Sequence, residues 1–331
     1  MMMTRIAPIV LIIYVATISV AAQSEENKKQ VVNKDFPTLE KQKIILDCDL
    51  GGDIDDAFAV AMMLSAQDQF DILGICLDYG DTEARGRIAL RMLYETGMDH
   101  IPVYLGRKTN HGVSAQFEYG RGFDVLMPQE QGAAEFIVAS LNAYPGEIIL
   151  FTVGPVPNMK DVIELDHRAL SNAKHIYSMF GDYHFGAKEW NVIADIKASQ
   201  AFISNIDNNI SLSGVKVAGA IKWDDERCRQ VKVIDTPLTD AITELLLLWR
   251  ATRPVDNNTP ILWDCTAFGL VLWPELYETR EVYMYVDDDG NTIIDEGRAP
   301  NCEIATNIDV DEFRRRLMDL YMKQDFKVSS Y

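Results

Sequence analysis

One acidic segment at residues 43–64, KIILDCDLGGDIDDAFAVAMML, constrains the fold more than any other part of the chain. It opens at 44–46 with an apolar, largely β-branched run that is typical of a buried strand. It closes at 57–64 with Ala, Met and Leu, which favour a helix. In open α/β sheets such a turn lies at the carboxyl end of a strand, where ligands gather. The turn carries five carboxylates: Asp47, Asp49, Asp53, Asp55 and Asp56.

These five carboxylates lie within ten residues, so they repel one another unless a cation lies among them. Helix N-capping accounts for one or two of them. The remainder favour a hard divalent cation with oxygen ligands. A solvated acidic turn is the alternative, and Asp47 and Asp53 are better interpreted as turn-capping groups than as ligands.

The composition and the N-terminal pattern limit where the protein acts. The chain has 331 residues and a formal charge of −19, which argues against nucleic acid and anionic membranes as partners. Residues 1–22 have the pattern of a signal peptide: one arginine, an apolar run and small residues at the end. Residues 23–42 are predicted to be a flexible leader. We therefore expect a secreted or periplasmic protein with no stable membrane insertion after cleavage; an uncleaved anchor is the alternative.

The rest of the chain, 43–331, is predicted to be a single catalytic domain of the α/β class. Strands alternate with helical segments, which predicts an open, mostly parallel twisted sheet with helices on both faces, and a Rossmann-like core. Specific expectations are a helix capped by Thr82, a long flap at 106–129, a strand at 215–221 and a hairpin around the acidic turn 287–291. Five cysteines without a CxxC pair are interpreted mainly as buried free thiols, although a Cys228–Cys302 bridge stays open.

Four segments in this order resemble the inosine–uridine-preferring nucleoside hydrolase family. The first is KIILDCDLGGDIDDAFAV, a longer variant of the acidic loop with which the family opens. The second is FTVGPVPN at 151–158, similar to a strand-end turn of the family. The third runs from MFGDYH at 179–184 to EWN at 189–191, like the loop that contacts ribose. The fourth is WDC at 263–265, ahead of an apolar helix.

This resemblance implies calcium-dependent hydrolysis of the N-glycosidic bond of a ribonucleoside or related N-riboside, giving free base and ribose. Its substrate partner would be a small riboside, and a homo-oligomer stays open. By the same resemblance, Asp49 would be the general base, and Asp55 and Asn191 would bind ribose hydroxyls. Met179 and Glu189 would line the ribose pocket. The implied ligands of Ca²⁺ are Asp49, Asp56, Asp264 and the backbone carbonyl of Val153.

The chain also departs from the family pattern around the substrate. Asp81 stands where the family has an Asn near the ribose, and Trp263 stands where it has a His near the leaving base. Trp263 either stacks on the base or supports Asp264 from the core. Either His111 or His184 is a candidate acid for the leaving group, and the alternative for each is an ordinary loop histidine.

Two other functions stay open from the sequence. A catalytically silent, calcium-dependent riboside-binding protein would retain the same acidic site. A haloacid-dehalogenase-type phosphatase also begins with an acidic pair at a strand end. However, the Asp55-Asp56-Ala57 end of the segment has no role in that phosphatase scheme.

Overall fold

The structure of the protein, a computed structural model, describes residues 40–110, 112–207 and 209–323. The predicted signal peptide and the leader up to residue 39 lie outside the described residues. The chain from Lys41 onward forms one compact unit.

An eight-stranded sheet runs through this unit in the order β3-β2-β1-β4-β5-β6-β10-β7. Its strands are parallel except for β7, which runs antiparallel to β10. A separate antiparallel pair, β8 and β9, forms the predicted hairpin around the turn at 287–291. The described strands are β1 (Gln42–Cys48), β2 (Phe70–Leu77), β3 (Val103–Leu105), β4 (Ile148–Thr152), β5 (His175–Met179), β6 (Ile210–Ser213), β7 (Tyr277–Val282), β8 (Met284–Val286), β9 (Thr292–Ile294) and β10 (Cys302–Ile308).

Helices follow the parallel strands and cover the sheet on both sides. The described α-helices are α1 (Asp55–Ser65), α2 (Thr82–Glu95), α3 (Phe117–Gly120), α4 (Ala133–Ala143), α5 (Pro157–Leu165), α6 (Trp190–Ala194), α7 (Ile196–Ser204), α8 (Val215–Ala218), α9 (Asp225–Ile234), α10 (Pro237–Ala251), α11 (Cys265–Leu272) and α12 (Val310–Met322). Among the described residues, no helix is both long and apolar enough to cross a membrane.

Strand β1 shows why the sheet is covered on both faces. Ile44 and Leu46 belong to one hydrophobic cluster, and Ile45 between them belongs to the other. Because successive side chains of a strand point to opposite faces, both faces of β1 are buried. The strand order also reverses direction at β1, which pairs with β2 on one side and β4 on the other. The prediction of an open, mostly parallel α/β sheet is confirmed.

Several local predictions are wrong. The expected strand at 215–221 is the short helix α8, and the strand is β6, just before it. The chain leaves the sheet at Gly214, where the ring of Tyr183 lies so close that a Cβ would be 2.6 Å from it. Helix α2 is capped by the carboxylate of Asp81, which accepts the N–H of Ala84, whereas the Thr82 hydroxyl donates to the Gly106 carbonyl.

The cysteines agree with the thiol interpretation and not with a bridge. All five, including Cys228 and Cys302, are free and buried. A Cys228–Cys302 disulfide is therefore wrong. Cys228 instead lies near the guanidinium of Arg250, and the Cys302 thiol faces the Val282 carbonyl.

Candidate active site

A cavity of about 500 Å³ opens at the carboxyl ends of the central strands. Asp49 follows β1, Val153 follows β4 and Met179 ends β5, so neighbouring strands deliver their side chains to one edge of the sheet. This is the crevice that forms where the strand order of an α/β sheet reverses. The predicted site residues that line it are Asp49, Asp55, Asp56, Val153, Met179, Glu189, Asn191, Trp263 and Asp264.

Three carboxylates converge in this cavity from two distant parts of the chain. Asp55 and Asp56 begin α1, and Asp264 is the residue before α11. Ligand oxygens of these three residues all lie within 4.8 Å of one another. Their exposed fractions are 6%, 2% and 3% respectively. Helix N-termini carry partial positive charge, so two helices favour negative charge here.

The chemistry of this cluster fits a hard cation. Burial raises the pKa of Asp55, Asp56 and Asp264 well above their ordinary values, and repulsion from neighbouring carboxylates, Asp49 among them, adds to the effect. One oxygen, Asp56 Oδ1, is buried without a hydrogen-bond partner. Buried carboxylates without enough donors need either protons or a metal ion. The cluster therefore meets the requirements of a divalent cation with oxygen ligands.

Asp49 lies in the same cavity but is engaged differently. Its Oδ2 accepts a hydrogen bond from Arg85 Nη2 at 3.2 Å, forming a buried ion pair. Burial raises the pKa of Asp49, and the guanidinium of Arg85 opposes that rise. Asp49 is therefore held beside the three-carboxylate cluster without being a member of it.

The opposite wall is built around the side chain of Asn191. Its Nδ2 donates to the carbonyls of Val153 at 2.8 Å and Met179 at 3.0 Å, so one amide joins the ends of β4 and β5. Glu189 caps the following helix by accepting the N–H groups of Asn191 and Val192. Burial raises the pKa of Glu189 to about 7 against these hydrogen bonds.

Two carboxyl groups lie behind the cavity. Asp47, the residue before the last one of β1, and Asp78, which follows β2, are fully buried. Asp47 Oδ1 accepts from Asn158 Nδ2 at 2.7 Å, and burial raises the pKa of Asp47 to about 7. In front of them, Asp53 Oδ1 accepts the N–H of Ile54, as a turn-capping group does.

Of three further candidates, two do not line the cavity and the third lies outside the described residues. Asp81 caps α2 and forms an ion pair with Lys108 at 2.7 Å. His184 is absent from the cavity wall among the described residues, and burial lowers its pKa. His111 lies outside the described residues. Trp263 does line the cavity, and its ring packs against Gly219, where a Cβ would be 2.9 Å from it.

The cavity residues that were missed from the sequence include Arg85, Lys188, Trp190 and Arg253. A helical repeat gives a signal for Arg85, because it shares the buried face of α2 with Ile88, Ala89 and Met92. An arginine at such a position requires a buried partner. The other three lie at or near loops, whose approach to the cavity depends on the tertiary fold.

Comparisons with known proteins show the family and the fold. Residues 44–315 match the sequence model of the family described as inosine-uridine preferring nucleoside hydrolase. The pyrimidine-specific ribonucleoside hydrolase RihB of Escherichia coli O9:H4 (strain HS) is 26% identical over 306 residues, which cover 83% of this chain and 95% of RihB.

Solved structures share the fold. A plant nucleoside hydrolase, the PpNRh1 enzyme, superposes with a TM-score of 0.76 at 18% identity, over 86% of this chain and 99% of that one. A purine-preferring ribonucleoside hydrolase from Gardnerella vaginalis gives 0.74 at 21% identity, over 86% and 100%. The family match decides against the phosphatase alternative. The chain belongs to the inosine-uridine preferring nucleoside hydrolase family, whose members hydrolyse the N-glycosidic bond of ribonucleosides.

Proposed function

We propose that this protein uses a calcium ion to hydrolyse the N-glycosidic bond of a ribonucleoside or closely related N-riboside. The observation that carries the proposal is the convergence of Asp55, Asp56 and Asp264 in a cavity of about 500 Å³. That volume falls in the range of small-molecule sites and suits a nucleoside-sized ligand. Members of the family depend on a metal ion, and this cluster supplies two of its proposed ligands, Asp56 and Asp264.

The donor set supports calcium over a softer metal. The proposed ligands are the carboxylates of Asp49, Asp56 and Asp264 and the backbone carbonyl of Val153, all of them oxygen donors on the cavity wall. Oxygen-only sets suit Ca²⁺, which accepts six to eight ligands in flexible geometry. When bound, the ion would supply positive charge and spare coordination positions for substrate oxygens.

The remaining polar groups are placed to hold ribose. We assign Asp55 and Asn191 to the ribose hydroxyls, with Glu189 and Met179 along the same wall. The amide of Asn191 is fixed by its bonds to two strand-end carbonyls, so its oxygen has a defined direction. Fixed polar groups orient a substrate without a further entropy cost at the moment of reaction.

The chemistry then follows from the charges. As the C–N bond breaks, its electron pair leaves with the base, which takes up a proton from solvent, and positive charge develops on the sugar ring. The carboxylates around the cavity stabilise that charge. Asp49 takes a proton from the water that forms the new C–O bond. Trp263 lines the cavity as a flat apolar surface for the leaving base.

A panel of purine and pyrimidine ribosides tests the proposal directly. The untreated enzyme should release the base. Release should stop after chelation and return when Ca²⁺ is added back. Binding of ribosides without base release would instead favour the silent binding protein. Activity that persists in full after exhaustive chelation would contradict the metal assignment.

The general base has its own test, Asp49→Asn. The amide keeps the shape of the side chain but cannot accept the proton, so we expect kcat to fall by about 10²–10⁴. Circular dichroism should be unchanged, and the exposed Asp68→Asn serves as a control with the same chemical change. Activity of Asp49→Asn within a few-fold of wild type would exclude Asp49 as the base.

We also propose that the protein is exported, to the exterior or to the periplasm. The support is the signal-like pattern of residues 1–22. Mass spectrometry of the mature N-terminus after expression of the full chain tests it, with cleavage after about residue 22 expected.

A further inference from the structure

Arg85 stands out because it is charged, buried and next to the reacting groups. It is the one basic side chain in the buried class among the described residues, against eight buried acidic ones. Its exposed fraction is 6%, and it lines the cavity beside Asp49. A buried charge persists in a fold when it is paired and fully hydrogen-bonded.

The guanidinium group binds three parts of the site at once. Nη2 donates to Asp49 Oδ2 at 3.2 Å, and Nη1 donates to the carbonyl of Leu50 at 3.0 Å. Nε donates to the carbonyl of Tyr79 at 2.7 Å. The planar fork of arginine can make these three contacts together, whereas the ammonium of lysine cannot reproduce that geometry. Arg85 therefore joins the turn after β1 to the loop after β2.

We propose that Arg85 is a positioning residue for hydrolysis: it holds Asp49 through one carboxylate oxygen. The proposal rests on the proposed function, in which Asp49 is the base. With Oδ2 held by the guanidinium, the orientation of the carboxylate that takes the proton from water is fixed. A fixed base spends more of its time in the reactive orientation.

The contact with Tyr79 extends this role to the cavity wall. Tyr79 has a φ of 42°, a left-handed conformation that a non-glycine residue adopts only when its surroundings hold it. Its ring packs edge-on against Trp190, with ring centroids 6.0 Å apart. Arg85 thus fixes the backbone that carries one side of this aromatic pair as well as the proposed base.

The test compares Arg85→Ala and Arg85→Lys with Arg87→Ala, an exposed arginine on the same helix. We expect kcat of Arg85→Ala to fall by about 10²-fold while KM changes by less than about threefold, because a displaced base slows the chemical step more than binding. Arg85→Lys should recover part of the loss. Arg87→Ala should behave as wild type.

Two readouts separate positioning from a merely structural role. Guanidinium chloride, added well below denaturing concentrations, should restore part of the activity of Arg85→Ala, whereas the same ionic strength of sodium chloride should not. Calcium titrated into Arg85→Ala by calorimetry should still bind. A kcat loss that is matched by loss of calcium binding, or that guanidinium does not reverse, would overturn the positioning role.

A third readout does not depend on activity. Thermal unfolding of Arg85→Ala, Asp49→Asn and the double variant should show coupling, with the double variant losing less Tm than the two single losses combined. Additive losses would overturn the contact itself. Coupling in a protein whose wild type releases no base from any riboside would contradict the proposed function instead, and full activity of Arg85→Ala beside an active wild type would contradict positioning alone.

Discussion

Two acidic regions of this molecule each contain several aspartates and differ in burial and in hydrogen bonding. The first is the three-carboxylate cluster of Asp55, Asp56 and Asp264. The second is the acidic turn, residues 287–291. The cluster is buried, and it leaves Asp56 Oδ1 without a partner. In the turn, Asp287 Oδ1 accepts the N–H groups of Asp289 and Asn291 at 2.9 and 2.8 Å.

The pKa shifts of the two regions run in opposite directions. Burial raises the pKa of each carboxyl in the cluster. Hydrogen bonds from the Asn291 side chain and from backbone N–H groups lower the pKa of Asp287. Local donors thus satisfy the turn without a cation, whereas the cluster needs charge from outside the chain. The number of carboxylates does not indicate a cation site; their burial without donors does.

The strongest way to break this comparison is to remove one member of the cluster. In Asp264→Asn, a neutral amide replaces a proposed ligand, so base release should fall by at least about 10²-fold. Calcium should also lose most of its effect on Tm. Kinetics on the best riboside and thermal unfolding with and without calcium measure both effects.

The matched control lies in the turn. The side chain of Asp288 is 94% exposed, so Asp288→Asn makes the same chemical change where no cation is proposed. Its activity should stay within about twofold of wild type, as is usual for surface substitutions. Equal losses in the two variants would mean that burial does not distinguish the regions.

The second way uses pH on the chelated protein. Raised carboxyl pKa values mean that the folded state binds more protons than the unfolded chain. The stability that these protons give the folded state is therefore complete below about pH 4, the ordinary pKa of carboxyl groups in the unfolded chain. It is lost as pH rises through about 7, the pKa of Glu189 in the folded protein. We expect Tm of the metal-free protein to fall between about pH 5 and 8. Asp287 contributes with the opposite sign, losing its effect only as pH falls below its ordinary pKa.

Calcium should reverse the trend, because its ligands must be deprotonated. At 100 times its Kd the ion adds about 2.7 kcal/mol, or about 4 °C in Tm for a domain of this size. The increment should grow with pH in wild type and be absent in Asp264→Asn. An increment that is independent of pH would place the ion outside the buried cluster.

Most of the sheet could be predicted because each strand and the helix after it have their own local sequence pattern. The apolar run before Asp47 and the helix after Asp56 follow each other directly in the sequence. Helix α8 could not be predicted in this way, since Val215 and Val217 favour strand, and the close approach of Tyr183 to Gly214 ahead of it is a tertiary contact. Strand β10 was missed although Cys302 and Ile304 alternate as a strand with buried side chains does.

The site divides in the same way. Its carboxylates were predictable because an aspartate at a strand end has a position in the fold before any contact is known. The pairing of Arg85 with Asp49 was not, since it depends on the rotation of α2 against a turn 36 residues earlier. Trp190 and Arg253 likewise reach the cavity through tertiary packing, for which no local periodicity exists.

The smallest expected effect is that of Asp287→Ala, which tests the comparison at the acidic turn. Asp287→Ala removes a carboxylate that accepts two backbone N–H groups and the Asn291 amide, in one exposed and two partly buried hydrogen bonds. Water can accept these hydrogen bonds in place of the Asp287 carboxylate. Tm should therefore stay within about 2 °C of wild type, and calcium binding should not change. Thermal unfolding and calorimetry measure this. A loss of Tm or of calcium binding as large as that of Asp264→Asn would show that the turn is needed for stability or for the ion. Burial would then no longer distinguish the two regions.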